Sequence, residues 1–305
     1  MPDSQPALAV VIVNFGSHDL IEPNVLGLDL DWVSSRVVIV DNFRSADDSA
    51  AIAEVCARHG WALVRNPVNL GFGAAMNVGV ARARELGCSV FLLLNPDASI
   101  ERDSLEELYE RAVADPLALR SPRVDRPDGT RWFDGATVLI RQGRTSTAAG
   151  SISSAPFGWI SGACLVVHEE LWERVGGFDE SFFLYWDDVD LSWRCVEVGG
   201  RLVVDSDLVA VHSVGGTQRG AGKSALYVFH NCRNRLVFAG IHLTRVQTLR
   251  WILGSWRYAW AVVNRGGRRE FARNAVPLAG AAVGGTVAGA TWAIVRMICA
   301  VRTTA

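Results

Sequence analysis

Disulfide chemistry is the first thing this sequence does not provide for. Its six cysteines (Cys56, Cys88, Cys164, Cys195, Cys232 and Cys299) are scattered, and no two form a CxxC pair. That spacing suits buried free thiols in a reducing compartment better than a disulfide framework or a zinc site. The opening Met1-Pro2-Asp3-Ser4-Gln5-Pro6 has no basic n-region and no cleavable apolar run. The expected location is therefore cytoplasmic. No internal repeat is present, and the first strand-like run is not followed by a GxGxxG turn. The composition, 50% hydrophobic and 20% charged over 305 residues, excludes global disorder and supplies a sizeable core.

Acidic residues are almost absent from the tail. From Ile241 onward nine arginines face one acid, Glu270, giving +8 and leaving −10 for the first 240 residues of a chain whose total is −2. An acidic body with a basic tail predicts an anionic partner for the tail, such as a phospholipid surface or a lipid diphosphate. No nucleic-acid partner is expected.

The apolar runs Leu8–Val13, Val37–Val40, Ala62–Val64 and Val90–Leu94 are separated by helical patterns around Ala50–Arg58 and Ala74–Leu86. Continuous runs with short connections predict parallel strands buried on both faces, in a doubly wound α/β sheet with ligands at the strands' carboxyl ends. Those ends carry Asn14, Asp41-Asn42, Asn66 and Asn95-Pro96-Asp97. Beyond Asp115-Pro116 the alternation fades. Arg131–Ile140 reads as a hairpin, Gly143–Pro156 and Ser213–Ser224 as loops, Trp159–Val167 as a strand and Asp187–Val198 as a helix. In the tail, Leu249, Ile252, Leu253, Trp256, Trp260 and Val263 share one helical face. After a basic turn at Arg265–Arg273, the run Ala275–Val295 carries no charge and is long enough to cross a bilayer. Its glycine and alanine content and Pro277 favour an interfacial or packed hairpin instead.

Three constellations carry chemistry. Asp97 follows a strand, where its carboxylate can hold a divalent cation against a diphosphate. His212 ends the run Leu208–Val211 and can supply an imidazole to the same ion, favouring Mn²⁺ over Mg²⁺. The segment Phe182–Arg194 holds Asp187, Asp188 and Asp190 among aromatics. Three carboxylates in four residues fit a cationic or catalytic task better than a capped turn. Asp187 is a candidate helix N-cap sharing a face with Asp190, which leaves Asp188 to point elsewhere.

Read together, these segments resemble family 2 inverting glycosyltransferases, especially bacterial rhamnosyltransferase-like members. The resemblance runs over roughly residues 8 to 240. It rests on Val11-Ile12-Val13-Asn14-Phe15, Val40-Asp41-Asn42, Asn69-Leu70-Gly71-Phe72-Gly73 with Asn77, Asn95-Pro96-Asp97, Trp159-Ile160-Ser161-Gly162-Ala163, Phe182–Arg194 and His212. It implies a GT-A fold over 1–240, with a nucleotide-binding half to about 115, an acceptor-binding half from about 116, and a helical, basic appendage over 241–305. It further implies that Asp41 contacts the base or ribose of the donor, and that Asn69 and Gly71 line the nucleotide pocket with Asn14, Asn77 and Asn95. Asp97 would stand for the last carboxylate of the family's metal motif, and His212 for its metal-binding histidine. Asp188 matches the general base, and Asp187 replaces a more usual Glu, as in galactofuranosyltransferase-like members. Trp159, Ser161, Gly162, Trp186 and Asp190 would face the acceptor and sugar, and Arg219 and Lys223 would close over the diphosphate.

The expected partners are a nucleotide-sugar donor and a glycan or polyprenyl-diphosphate-linked acceptor. dTDP-rhamnose is the first-choice donor, with UDP-galactofuranose and other UDP- or GDP-sugars as alternatives. The tail is expected to attach peripherally to the inner face of the membrane, or else to pack on protein, including as a homodimer interface. Three rival readings are a nicotinamide oxidoreductase, disfavoured by Asn14-Phe15-Gly16-Ser17-His18 after the first strand, a nucleotidyltransferase, and a non-catalytic scaffold.

Overall fold

The computed structural model describes residues 6–147, 157–213 and 224–302. The chain runs through β1 (Ala7–Asn14), α1 (His18–Leu26), β2 (Ser35–Asp41), α2 (Ala46–His59), β3 (Ala62–Arg65), α3 (Phe72–Glu85) and β4 (Cys88–Leu94). It continues with β5 (Ala98–Ile100), α4 (Arg102–Ala114), β6 (Ala118–Asp125), β7 (Arg131–Phe133), β8 (Ala136–Leu139), β9 (Arg144–Ser146), β10 (Gly158–Trp159), β11 (Cys164–His168) and α5 (Glu169–Val175). Then come α6 (Asp187–Glu197), β12 (Arg201–His212), α7 (Ala225–His242), α8 (Arg245–Leu253), α9 (Ser255–Val263) and α10 (Arg268–Arg302).

Contacts divide the chain into two units. The first holds a sheet ordered β3-β2-β1-β4-β11-β6-β12-β5, with β7 added on β6. The first four strands are mutually parallel, as the apolar runs predict. Each is covered on both faces, which is why these strands do not alternate in polarity. Ala9, Val11 and Val13 of β1 join one core with α3, and Leu8, Val10 and Ile12 join the other with α1, α2 and α4. Gly79 lets α3 settle directly on Val11 and Val40, where a side chain would collide.

Beyond β4 the sheet becomes mixed. β11 runs antiparallel to β4 and β6, and β12 runs parallel to β6 and antiparallel to β5. β12 bulges between Asp205 and Val209, opposite Pro122 and Arg123 of β6. A proline cannot donate to the ladder, so a bulge there costs little pairing. Asp205 turns inward to accept two 3.0 Å bonds from the buried Arg120.

Three expectations are corrected. Arg131–Ile140 is not a hairpin: β7 pairs with β6, whereas β8 pairs with β10 through Ala136 and Thr137. Gly135, at φ 89°, redirects the chain between them. Trp159–Val167 is two strands with a turn at 160–163. The tail face running from Leu249 to Val263 is broken at Gly254 into α8 and α9.

The second unit comprises Val138–Ser146, Ser181–Trp186 and the described residues from 224 onward. The division therefore falls before α7 and not at residue 240, because α7 shares its buried polar residues with this unit. Arg235 donates to the carbonyls of Gly143 and Trp251 and to the Ser255 hydroxyl. The predicted basic turn Arg265–Arg273 is mostly helix, since α10 begins at Arg268 and kinks at Asn274, three residues before Pro277. Gly285 and Gly289 of α10 lie directly on the backbone carbonyls of Phe229 and Arg233 in α7, and Ala293 meets Gly240.

Replacing Gly79 by Leu is expected to lower stability by about 1–3 kcal/mol through overpacking. Replacing Gly280, whose helical site faces open space, by Ala should raise it by about 0.5–1 kcal/mol. Urea denaturation midpoints check both, and equal effects would contradict this account of the packing.

Candidate functional site

The parallel register brings the polar strand ends to one edge of the sheet, with Asn14 opposite Asp41. Both are buried, and the Asn14 amide lies 3.5 Å from Asp41 Oδ1 while its oxygen accepts from Ser17 N–H at 2.9 Å. Asn42 organises the neighbouring loop. Its amide donates to Asn69 Oδ1 at 2.8 Å and to the Gly71 carbonyl, and its oxygen accepts from Leu70 N–H and the Asn66 amide. Asn69 also accepts from Gly71 N–H, and Gly71, at φ 87°, starts α3 in a conformation that favours glycine. The expected nucleotide residues Asn14, Asp41, Asn69 and Gly71 thus share the ends of β1 and β2 and the loop into α3. Asn42 was not foreseen among them, although its place beside Asp41 at a strand end was the available signal.

Two other residues are expected there. Asn77 is locked by Phe178, whose N–H it accepts at 2.8 Å and to whose carbonyl it donates at 2.9 Å. It fastens α3 to the turn after α5, and its amide also lies 3.5 Å from the Glu180 carboxylate. Asn95 uses its backbone N–H on the Ala163 carbonyl, and its side chain is half-buried.

Strand pairing also joins Asp97 to His212. The antiparallel register of β12 on β5 sets His212 opposite Ala98, beside Asp97. His212 Nε2 lies 2.9 Å from Asp97 Oδ1, and both side chains are buried. The Trp132 ring edge packs on the imidazole, with centroids 4.8 Å apart. His212 Nδ1 has no partner among the described residues. An aspartate and a histidine side by side fit a borderline divalent cation. Among the described residues no third ligating side chain joins them, so remaining coordination would come from substrate oxygens or water.

Asp188 and Asp187 open α6. Asp188 is half-buried and accepts from Gly162 N–H at 3.3 Å and Val189 N–H at 2.8 Å. Gly162 is hemmed in by Phe72 and Asp188 itself. Asp187 is 4% exposed, and its Oδ2 has no partner among the described residues. Burial, and then the neighbouring Asp188 charge, push the Asp187 carboxyl well above the usual carboxylate range. Burial also raises Asp188, against the two backbone N–H groups that favour its charged form. A proton retained by this pair therefore belongs on Asp187.

The residues just before the pair are strained. Tyr185 and Trp186 have φ of 65° and 70°, a region that costs a non-glycine residue about 1–3 kcal/mol. Within the second unit, the buried Asn234 amide donates to the carbonyls of both Leu184 and Tyr185 at 2.9 Å. Arg233 donates to the Ser181 carbonyl and to Asn234 Oδ1.

The expected acceptor residues divide. Gly162 touches Asp188, whereas Ser161 is buried and accepts from Ala163 N–H. Trp159 is half-buried, its ring beside Phe133 and its Nε1 without a partner among the described residues. Two assignments need correction. Asp190 is fully enclosed and paired with Arg194 at 2.7 Å, and Trp186 is 4% exposed among Phe238 and Trp251. Both serve packing. Arg219 and Lys223 lie outside the described residues, as does most of each predicted loop.

Residues 10–160 match the family described as Glycosyl transferase family 2. The chain belongs to that family and is a glycosyltransferase. It is 29% identical over 241 residues to the N-acetylglucosaminyl-diphospho-decaprenol L-rhamnosyltransferase of Mycobacterium tuberculosis, covering 70% of this chain and 78% of the relative. It is 25% identical over 242 residues to a low-salt glycan biosynthesis hexosyltransferase of Haloferax volcanii, covering 75% and 74%. Its fold is that of GT-A enzymes. The mannosyltransferase PcManGT from Pyrobaculum calidifontis, solved with GDP-Man and Mn²⁺, aligns with a TM-score of 0.57 at 19% identity over 99% of this chain and 88% of that one.

Because the folded state holds protons on Asp187 that the unfolded chain releases, stability should fall as pH rises from about 4 through the raised folded value. Asp187→Asn removes that slope. The variant is expected to match the wild type near pH 4 and exceed it at neutral pH by about 1 kcal/mol or more. Denaturation at several pH values checks this, and parallel curves would refute it.

Proposed function

We propose that the enzyme is an inverting sugar transferase, with a nucleoside-diphosphate sugar as donor and a hydroxyl of a glycan or polyprenyl-diphosphate-linked molecule as acceptor. dTDP-L-rhamnose is the favoured donor, supported by the likeness to the mycobacterial rhamnosyltransferase and to other relatives of that name. The Trp186-Asp187-Asp188 sequence keeps UDP-galactofuranose as the second choice. A lipid-linked acceptor fits work at the cytoplasmic face of a membrane.

The observation that carries this reading is the asymmetry of the acid pair. Asp188 is half-buried and held by two N–H groups, whereas Asp187 is enclosed and its Oδ2 lacks a partner among the described residues. Asp188 is the base: it takes the acceptor hydroxyl proton as that oxygen bonds to the anomeric carbon and the bond to the diphosphate breaks. A single base on the acceptor side, with no separate nucleophile, gives inversion. Asp187 keeps its proton and leaves the negative charge on Asp188. Asn14, Asp41 and the Asn69–Gly71 loop bind the nucleoside. Asp97 and His212 are the residues that would hold a Mn²⁺ or Mg²⁺ ion, whose chemistry when bound is to offset charge on the departing diphosphate.

Asp188→Asn should cut turnover by about a hundredfold or more while leaving donor affinity nearly unchanged. Asp97→Ala and His212→Ala should instead weaken nucleoside-diphosphate binding, measured by calorimetry with Mn²⁺ present. Full turnover in excess EDTA, or a larger turnover loss in Asp187→Asn than in Asp188→Asn, would overturn these assignments.

Asn234 acts as a positioning residue by holding the strained turn that leads into the pair. Asn234→Ala is expected to lower kcat about tenfold with donor KM nearly unchanged, the signature of lost placement. Adding Tyr185→Gly should recover part of the rate, because glycine adopts φ near 65° without strain. Equal losses in kcat and affinity without recovery would mark Asn234 as a stability residue only.

A further inference from the structure

The uncharged part of α10 presents two different faces. Leu278, Ala282, Gly285, Gly289 and Ala293 are buried, the last three against α7. Val276, Val283, Val287, Ile294 and Ile298 are exposed, Val276 at 83% and Val283 at 64%. Their spacings alternate between seven and four residues, so they form one stripe along the helix. No charge interrupts it between Ala275 and Val295. The same unit exposes Leu253, Trp256 and Trp260 on α8 and α9, with Trp256 at 72%. Arg245, Arg250, Arg257 and Arg296 are exposed as well. Such a surface is costly in water, and the +8 charge from Ile241 onward selects an anionic covering.

Length alone would let this helix cross a bilayer. The apolar segment Asn274–Cys299 has 26 residues, about 39 Å of helix against about 30 Å of hydrocarbon. Packing decides against it. At the middle of the segment, Gly285 and Gly289 bring α10 onto the backbone of α7 at Phe229 and Arg233. On α7, Asn231, Asn234 and Arg235 are buried and hydrogen-bonded, Asn231 to the Tyr227 carbonyl and the other two to Gly143, Leu184, Tyr185, Trp251 and Ser255, and the buried His230 lies among them. A crossing helix would either carry that network into hydrocarbon or strip α10 from α7.

We propose that the second unit docks on an anionic phospholipid surface with α10 lying in the plane of the interface, its Val/Ile stripe in the acyl boundary and no segment crossing. Tryptophans at headgroup depth and arginines on lipid phosphates complete this mode of attachment. It extends the reading above without depending on which sugar is transferred.

The test is co-sedimentation of the full chain with vesicles of equal parts phosphatidylcholine and phosphatidylglycerol, against phosphatidylcholine alone. Low-salt binding to the anionic vesicles should be at least about tenfold tighter, with release by high salt or alkaline carbonate. Val283→Asp with Val287→Asp should lower it about tenfold or more at unchanged melting temperature, whereas Val196→Asp, on an exposed site of α6, should not. Cys299 is exposed while the other five cysteines are buried. An environment-sensitive dye on it should shift to the blue with anionic vesicles and revert in high salt. Binding that resists carbonate would mean a crossing helix and overturn the proposal. So would self-association abolished by the valine substitutions in a chain that ignores vesicles, which would make the stripe a dimer interface. Turnover of a water-soluble acceptor is measured in parallel, so failure to bind vesicles stays distinct from failure of the enzymatic reading.

Discussion

The antiparallel pairing of β12 with β5 is the constraint on which the candidate metal pair depends. β12 enters the sheet beside β6, more than a hundred residues after β4 has ended at Leu94. Its last residue lands opposite Ala98 because β5, only three residues long, reverses direction after the Asn95-Pro96-Asp97 turn. Asp97 and His212 then meet by hydrogen-bond register, without a loop having to find a conformation for them. Register of this kind is discrete. A slip of one residue would send the imidazole to the opposite face of the sheet. The bulge in β12 and the buried Arg120–Asp205 pair hold that register upstream.

The turn before the acid pair is held by different means. Its backbone is bent into a left-handed aromatic pair, and the bend persists because buried donors on α7 saturate the carbonyls of the turn. An isolated turn of this kind would relax. Here the Trp186 ring is enclosed by Phe238 and Trp251, so relaxation would also expose apolar surface. Stability given up at Tyr185 and Trp186 is offset by that packing. Asp187 shows the same exchange. Enclosing a carboxylate with one oxygen unpartnered among the described residues destabilises the fold above its titration range, and burial favours the proton on Asp187 over Asp188.

The sequence carried much of this in legible form. Leu8–Val13 and Val90–Leu94 could be read as buried parallel strands because continuous branched runs have few other homes. Their polar ends marked the sheet's ligand edge by the same logic. Asp188 could be told from its neighbours by helical spacing, which put Asp187 and Asp190 on one side. Other roles were not legible. Asn77 and Asp190 look like site residues in sequence, but Phe178 and Arg194 occupy them through tertiary contacts that no local pattern announces. For Asn42 the place at a strand end was legible, but its hold on the loop was not. A single asparagine that satisfies a loop 24 to 29 residues away leaves no periodicity to detect.

The tail shows where composition misleads most. Hydropathy registers Ala275–Val295 as one uncharged block, since glycine and alanine score as mildly apolar wherever they sit. The structure separates that block into two faces. Gly285, Gly289 and Ala293 lie where the α7 backbone comes close, and Val283, Val287 and Ile294 lie on the side it leaves open. Glycine contributes almost no transfer free energy in either place. At Gly285 and Gly289 it allows helix backbones to touch, which a larger residue would forbid. The same residues that make the segment look like a weak membrane helix are those that tie it to a partner rich in buried polar groups. An apolar segment bound to such a partner can rest on a bilayer, and it cannot enter one alone.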